Sequence, residues 1–152
     1  PINSWIMGMH LESLGVRMER HCANALAVAK WLDADPRVSW VSFPGLETDK
    51  YHALAEKYMP NGTCGVISFG VPGSREKVSA FLDHLKMVSI ATHVADARSC
   101  TLYPAGTTHR QLTEEQLEEA GVGIDLVRLS CGIENADDII ADLDQALAAV
   151  QE

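Results

Sequence analysis

The chain has 152 residues, of which 12 are Lys or Arg and 21 are Asp or Glu, so its formal net charge at pH 7 is −9. Apolar residues make up 47% of the sequence and charged residues 22%. This balance excludes intrinsic disorder and fits one folded domain. The acidic excess argues against nucleic acid and anionic membranes as main partners, because both select clustered Lys and Arg. No stretch approaches the roughly 20 apolar residues that span a bilayer.

The four cysteines are far apart and form no C-x-x-C pair. A disulfide framework or a zinc site would need closer clusters, so the sequence predicts reduced thiols in a cytoplasmic protein. His93, Asp96 and His109 are too scattered to predict a metal site. The first residues also lack the basic segment of a secretory signal peptide.

The first 34 residues predict one long helix. From Ile2 to Leu32, apolar side chains recur mostly three or four residues apart, which is the spacing of one helix face, and Pro36 ends the pattern. Such a helix would be roughly 45 Å long, more than a domain of this size can cover. We therefore expect residues 1–34 to be a linking helix whose first half packs on another domain.

The rest of the chain alternates short strands and helices. Strands are predicted at residues 38–43, 65–70, 87–90, 99–103 and 126–133. Helices are predicted at residues 50–58, at residues 72–85, after the capping-box sequence that begins at Thr113, and after Asn135. The connections vary in length, which favours an α+β fold with a small mixed or antiparallel sheet covered by helices on one face.

Arg128 is the most informative single residue. It lies in an otherwise apolar strand, where alternation places Val127, Leu129 and Cys131 on one face and Arg128 with Ser130 on the other. The planar guanidinium suits a carboxylate or phosphate bound by two hydrogen bonds. An ion pair with an Asp or Glu of the same chain, or an edge-strand Arg in water, would explain the same pattern.

Two further features leave the chemistry open. The loop of residues 103–109 is small, polar and rich in hydroxyl groups, so it could wrap a ligand or simply connect two elements. None of the five lysines has the apolar, hydroxyl-flanked setting expected of a Schiff-base lysine.

Five stretches, taken together and in order, resemble motifs of the Cys/Met-metabolism family of PLP-dependent enzymes. Residues 14–25 resemble its L-x-x-R-M-x-x-H-x-x-N-A helix, and residues 41–46 its V-x-Y-P-G-L strand and turn. Residues 65–69 are similar to G-G-[MV]-[IL]-[ST]-F. Residues 95–109 resemble G-D-A-x-[ST]-L-x-x-H-P-A-x-x-T-H, and residues 126–134 resemble L-[VI]-R-L-S-V-G-[IL]-E.

The resemblance implies the C-terminal small domain of a fold type I enzyme, with residues 1–34 as the linking helix and the PLP-binding large domain absent from the chain. It is closest to the O-acetylhomoserine sulfhydrylase branch; methionine γ-lyases and cystathionine γ-synthases or γ-lyases are relatives left open. Such a fragment is expected to bind no PLP and to be inactive alone. The full-length parent would be a homo-oligomer, commonly a tetramer, that replaces acetate with sulfide or a thiol on an O-acetyl-L-homoserine-like amino acid.

The same resemblance assigns substrate-binding residues. Arg128 matches the arginine that grips the substrate α-carboxylate, His93 and Val94 match a pair beside that carboxylate, and Thr108 matches a threonine of the pocket loop. His93 departs from the Ser common in γ-lyases, and Tyr103 stands where the family usually has His. No catalytic, cofactor-binding or metal-binding residue is expected in this chain.

One alternative comes from a different functional class. An independent α+β domain that senses an amino acid would use Arg128 as its carboxylate clamp in the same way. The absence of a suitable lysine is compatible with that alternative, whereas the five ordered motifs favour the enzyme. The length of the natural reading frame would distinguish the two hypotheses: it would continue upstream for the enzyme and would begin near Pro1 for the independent domain.

Overall fold

Residues 1–151, which are described here by a computed structural model, contain six α-helices and five strands. The helices are α1 (Ile2–Glu12), α2 (Leu14–Ala34), α3 (His52–Tyr58), α4 (Arg75–Asp83), α5 (Glu114–Glu119) and α6 (Ala136–Ala149). The strands are β1 (Val41–Ser42), β2 (Val66–Gly70), β3 (Ser89–Ile90), β4 (Cys100–Leu102) and β5 (Leu126–Ser130), and a 3₁₀ turn lies at Pro104–Gly106.

The five strands form one sheet in the order β1-β2-β5-β4-β3. Neighbours are antiparallel except for β3 and β4, which run parallel. The predicted mixed sheet is therefore confirmed, although several strands are shorter than predicted. Beyond Ser130, the Cys131 N–H still donates to the carbonyl of Gly65 in the register of β2 and β5, and the Ile133 N–H then donates to the carbonyl of Ala97.

One face of the sheet carries the core. Ile67 and Phe69 of β2 and Val127 and Leu129 of β5 are fully buried, and each such side chain contributes about 1.5–3 kcal/mol by leaving water. They pack with buried side chains of α2, α4 and α6, including Phe81, whose ring meets Phe69 edge-on at 6.1 Å between centroids. Helices cover this face as predicted, and strand alternation turns the intervening residues to the opposite face.

The prediction of one continuous linking helix is wrong in one respect. The chain forms two helices that meet at Ser13, whose backbone lies at φ −100° and ψ 4°. The Arg17 side chain spans this break, donating to the Ser13 hydroxyl at 3.2 Å and to the His10 carbonyl at 2.7 Å. The two glycines of the segment, Gly8 and Gly15, lie inside α1 and α2 and not at the break.

None of the residues of the first helix is buried within residues 1–151. Its large apolar side chains and those at the start of α2 are exposed: Ile2, Trp5, Ile6, Met7, Met9, Leu11, Leu14, Val16 and Met18. An apolar surface of this extent marks an interaction site. No helix of residues 1–151 is long and apolar enough to cross a membrane.

Two of the predicted helix starts have the caps that the sequence implies. Thr113 and Gln116 exchange side-chain and backbone hydrogen bonds in a capping box at α5. At α6, the Asn135 side chain accepts from the Asp137 N–H at 3.2 Å. These caps fix where the two late helices begin.

Asp142 joins α6 to the segment that leads into β3. Its buried carboxylate accepts hydrogen bonds from the backbone N–H groups of Lys86, Met87 and Val88 at 2.8–2.9 Å. Desolvation by burial raises the pKa of this carboxyl, but the three backbone donors and Gln145 outweigh it, so the pKa is lowered from its usual value.

We expect Asp142→Asn to lower the free energy of unfolding by about 2–3 kcal/mol at pH 7, because at least one backbone N–H loses its acceptor. The folded-state pKa lies below the unfolded one. The carboxylate's stabilisation is therefore complete above the unfolded pKa of about 3.9 and lost as the pH falls through the folded value. Urea unfolding at several pH values measures both effects. Asp83→Asn, at an exposed helix position, is the control and should change little; an equal loss for both variants would contradict this role for Asp142.

Candidate functional site

Arg128 lies at the centre of the sheet. It is the third residue of β5, the central strand, and stands opposite Ser68 of β2 and Leu102 of β4. Because its neighbours Val127 and Leu129 face the helices, Arg128 and Ser130 point to the other face of the sheet, called here the open face. The core residues around it therefore hold the arginine backbone rigidly while its side chain faces away from them.

The guanidinium of Arg128 has only backbone carbonyls as partners. Its Nη2 donates to the carbonyl oxygens of Thr92 at 3.1 Å and His93 at 3.3 Å. Its Nε is buried and has no hydrogen-bond acceptor among residues 1–151, and no carboxylate in that range lies within ion-pair distance of it. Neither an internal ion pair nor an edge-strand position explains this arginine.

Residues 91–98 form a loop, called here the cover loop, that lies over β4 and β5 on the open face. The Ala95 N–H donates to the Ser130 hydroxyl at 3.1 Å, and the Cys100 thiol donates to the His93 carbonyl at 3.1 Å. Ser130, which accepts the first of these bonds, is the second polar residue of β5 on the open face, after Arg128. The cover loop is thus held against the strands immediately beside Arg128.

The charges around Arg128 favour the binding of an anion. Two carbonyl dipoles orient the guanidinium but leave its positive charge uncompensated. The nearest acid of the cover loop, Asp96, accepts instead from the Arg98 N–H at 2.9 Å and lies 3.8 Å from the Arg98 Nε. The hydrogen bond from the Arg98 backbone lowers the pKa of Asp96. A carboxylate or phosphate that could accept two N–H bonds is the complement of the arrangement at Arg128.

The four predicted binding residues are not all brought together. His93 and Val94 lie in the cover loop beside Arg128, with exposed side chains, and His93 contacts Arg128 through its carbonyl. Thr108 lies beyond the 3₁₀ turn, where its exposed hydroxyl is 2.9 Å from the Nδ1 of His109. Among residues 1–151 no hydrogen bond joins Thr108 to Arg128. The substrate-binding roles of the four residues stay predictions.

The residues that fix the cover loop were missed from the sequence. Ser99 and Glu134 are 35 positions apart but hydrogen-bond side chain to side chain at 2.9 Å. The only available signal was that Glu134 closes the motif of residues 126–134, at a position to which no role was assigned.

None of the five lysines within residues 1–151 is buried: Lys77 is half-buried, and Lys30, Lys50, Lys57 and Lys86 are exposed. Groups of three or more His, Cys, Asp or Glu side chains that could hold a metal ion are likewise absent from residues 1–151. The features of residues 1–151 that could contribute to a binding site are the positive charge of Arg128 and the cover loop beside it.

Ala95 has a backbone conformation that L-residues rarely adopt. Its φ is +57°, the only positive value at a non-glycine position in the described chain. The motif that residues 95–109 resemble has Gly at this position. A side chain in the left-handed region costs roughly 1–2 kcal/mol, so the cover loop stores strain at the residue that bonds Ser130.

An α+β domain with an unpaired arginine at the centre of its sheet is the class that the fold and site define. The model of the family described as Cys/Met metabolism PLP-dependent enzyme matches residues 1–148. The chain belongs to this family.

Individual relatives agree with that assignment. The chain is 45% identical over 148 residues to the O-acetyl-L-homoserine sulfhydrylase of Leptospira meyeri and 47% identical over 147 residues to the homocysteine synthase of Schizosaccharomyces pombe. Each alignment covers 97% of the chain and 34% of the relative. The chain therefore spans about a third of the length of the curated relatives it matches.

A solved structure shares the fold. It is a putative O-acetylhomoserine (thiol)-lyase from Campylobacter jejuni that contains N'-pyridoxyl-lysine-5'-monophosphate. It matches with a TM-score of 0.89 and 40% sequence identity over 97% of the chain and 35% of that protein. The similarity confirms the predicted fold class and its assignment to fold type I.

We expect Ala95→Gly to be less destabilising than Ala97→Gly. Both substitutions add the backbone entropy cost of glycine, about 0.5–1 kcal/mol, but only the first removes strain at positive φ. The free energy of unfolding should therefore be about 1 kcal/mol higher for Ala95→Gly than for Ala97→Gly. Urea unfolding measures the difference, and equal destabilisation by the two substitutions would show that Ala95 is not strained.

Proposed function

We propose that this chain is the C-terminal substrate-binding domain of a longer PLP-dependent O-acetylhomoserine sulfhydrylase, in which Arg128 binds the α-carboxylate of the amino acid substrate. The observation that carries the proposal is the guanidinium of Arg128, which has no acid partner within residues 1–151. The family and the printed names of the relatives support the reaction.

The geometry of Arg128 suits binding of a carboxylate in one orientation. A guanidinium can donate two parallel N–H bonds to the two oxygens of a carboxylate, and among residues 1–151 the hydrogen bonds of Arg128 engage only its Nη2. Because two carbonyls of the cover loop accept hydrogen bonds from Nη2, the guanidinium is oriented before the substrate binds. An amino acid bound in this way has little freedom to rotate, and such orientation can lower a reaction barrier by several kcal/mol.

The cover loop has a second role in the proposal. His93 and Val94 stand beside the clamp with exposed side chains, where they would form part of the pocket wall and limit the access of water. His93 offers a hydrogen-bond donor and Val94 an apolar surface. Thr108 is proposed as a more distant member of the same pocket.

The exposed apolar side chains of α1 suggest that this chain is part of a longer protein. We propose that residues 1–34 link this domain to a PLP-binding large domain that covers the apolar side chains of α1, such as Trp5 at 63% exposure and Met7 at 67%. The alignments that cover a third of each relative support the same view. The large domain would supply the lysine and the phosphate site that the described residues lack.

The proposed reaction replaces the acetate of O-acetyl-L-homoserine with sulfide or a thiol. PLP, bound by the large domain, supplies the electron sink for this chemistry. The contribution of the present chain is to bind the α-carboxylate, to orient the amino acid and to close over it. The free thiols of the four cysteines suit a reducing compartment, so we place the protein in the cytoplasm, as a homo-oligomer.

The activity is tested with the longer protein that contains this chain. Turnover of O-acetyl-L-homoserine with sulfide to homocysteine, faster than elimination from methionine or formation of cystathionine, is the expected result. A protein that eliminates methionine but does not use O-acetylhomoserine would assign it to the γ-lyase branch instead.

We expect Arg128→Lys to raise the KM for the amino acid substrate about 10- to 100-fold, because the point charge of lysine loses one charge-assisted hydrogen bond worth about 1.5–3 kcal/mol. The KM for sulfide should change little. Arg110→Lys, at an exposed position, is the control and should leave both constants unchanged. Steady-state kinetics that return unaltered KM values for Arg128→Lys would remove the proposed clamp.

A further inference from the structure

We propose that Glu134 is a positioning residue for the Arg128 clamp, acting through Ser99 and the cover loop. This inference rests on the proposed function and extends it to a residue that touches neither the guanidinium nor the substrate. It is carried by a set of hydrogen bonds that joins the turn after β5, the helix α2 and the cover loop.

The carboxylate of Glu134 uses both of its oxygens on one residue. Oε1 accepts from the Ser99 N–H at 2.6 Å, and Oε2 accepts from the Ser99 hydroxyl at 2.9 Å. The hydroxyl in turn accepts from the Gly132 N–H at 2.8 Å. Ser99 is fully buried at the junction of the cover loop and β4, so these three bonds fix the point at which the loop rejoins the sheet.

The turn after β5 has no room for a larger residue at Gly132. A Cβ placed there would lie 2.2 Å from the Glu134 carboxylate and 2.5 Å from both the Ala97 carbonyl and the Ser99 nitrogen. The absence of a side chain is what allows the turn to approach the end of the cover loop so closely. The Ile133 N–H then donates to the Ala97 carbonyl at 2.9 Å.

Helix α2 holds the other side of the turn. The Asn24 side-chain amide donates to the carbonyls of Gly132 at 2.9 Å and Glu134 at 2.8 Å, and the ring Nδ1 of His21 donates to the carbonyl of Cys131 at 2.7 Å. Both side chains are buried. Glu134 therefore extends from a turn that cannot shift without breaking three bonds to α2.

The position of the cover loop in turn affects the orientation of the Arg128 guanidinium. The loop is fixed near its end by Ser99 and Ala97 and near its middle by the Ala95 N–H bond to Ser130. The carbonyls of Thr92 and His93, which orient the guanidinium, lie just before these anchors. Without the Glu134 carboxylate, the buried N–H of Ser99 loses its acceptor. The cover loop then loses one anchor at its end, and its two carbonyls are held less precisely, although the bond from the Ala95 N–H to Ser130 remains.

The test is steady-state kinetics of the full-length protein with Glu134→Ala and Glu134→Gln, and Glu119→Ala as an exposed control. Glu134→Ala should raise the KM for the amino acid substrate roughly tenfold, with a smaller change in kcat and none in the KM for sulfide. Glu134→Gln keeps one oxygen acceptor and should give a smaller increase. A direct titration with an unreactive amino acid, followed by cofactor absorbance, should show the same loss of affinity. The control should behave as wild type.

The possible results separate this inference from the proposed function. If Arg128→Lys raises the amino acid KM but Glu134→Ala leaves that affinity unchanged, or weakens both substrates equally while lowering the melting temperature, Glu134 is structural only and the clamp stands. If Arg128→Lys has no effect on the amino acid KM, the clamp itself is wrong, whatever Glu134→Ala does.

Discussion

An arginine whose charge has no acid partner is the constraint on which this structure depends. Arg128 stands on the central strand of the sheet, with its Nε buried and its Nη2 bound only to two backbone carbonyls. Dipoles can orient a guanidinium, but they do not compensate its charge. The proposed anion-binding role of Arg128 rests on this partly desolvated cation, which has no acid partner among the described residues.

The surrounding fold keeps that arginine in place. The helices pack on the opposite face of the sheet and make β5 rigid, while the cover loop shields the open face. The loop is itself held by the turn after β5 and, through His21 and Asn24, by α2. The helix that leads towards the proposed large domain is therefore connected by hydrogen bonds to the loop beside the clamp.

Much of the fold was predictable because local patterns determine it. The alternation around Arg128, the capping box at Thr113 and the helix stripe after Asn135 are short-range signals, and the structure confirms all three. The break at Ser13 was missed, although the one five-residue interval in the apolar series, from Met9 to Leu14, spans it. The bond between Ser99 and Glu134 joins residues 35 positions apart, and only the folded topology brings them together. For the same reason the sequence could not decide whether Arg128 has an internal partner.

The most direct measurement is a crystal structure of the full-length protein with an unreactive amino acid bound. The account predicts that the α-carboxylate accepts two hydrogen bonds from the Arg128 guanidinium, at about 2.7–2.9 Å, with the cover loop in contact with the ligand. A carboxylate bound elsewhere, with Arg128 paired to an acidic side chain of the protein, would contradict it.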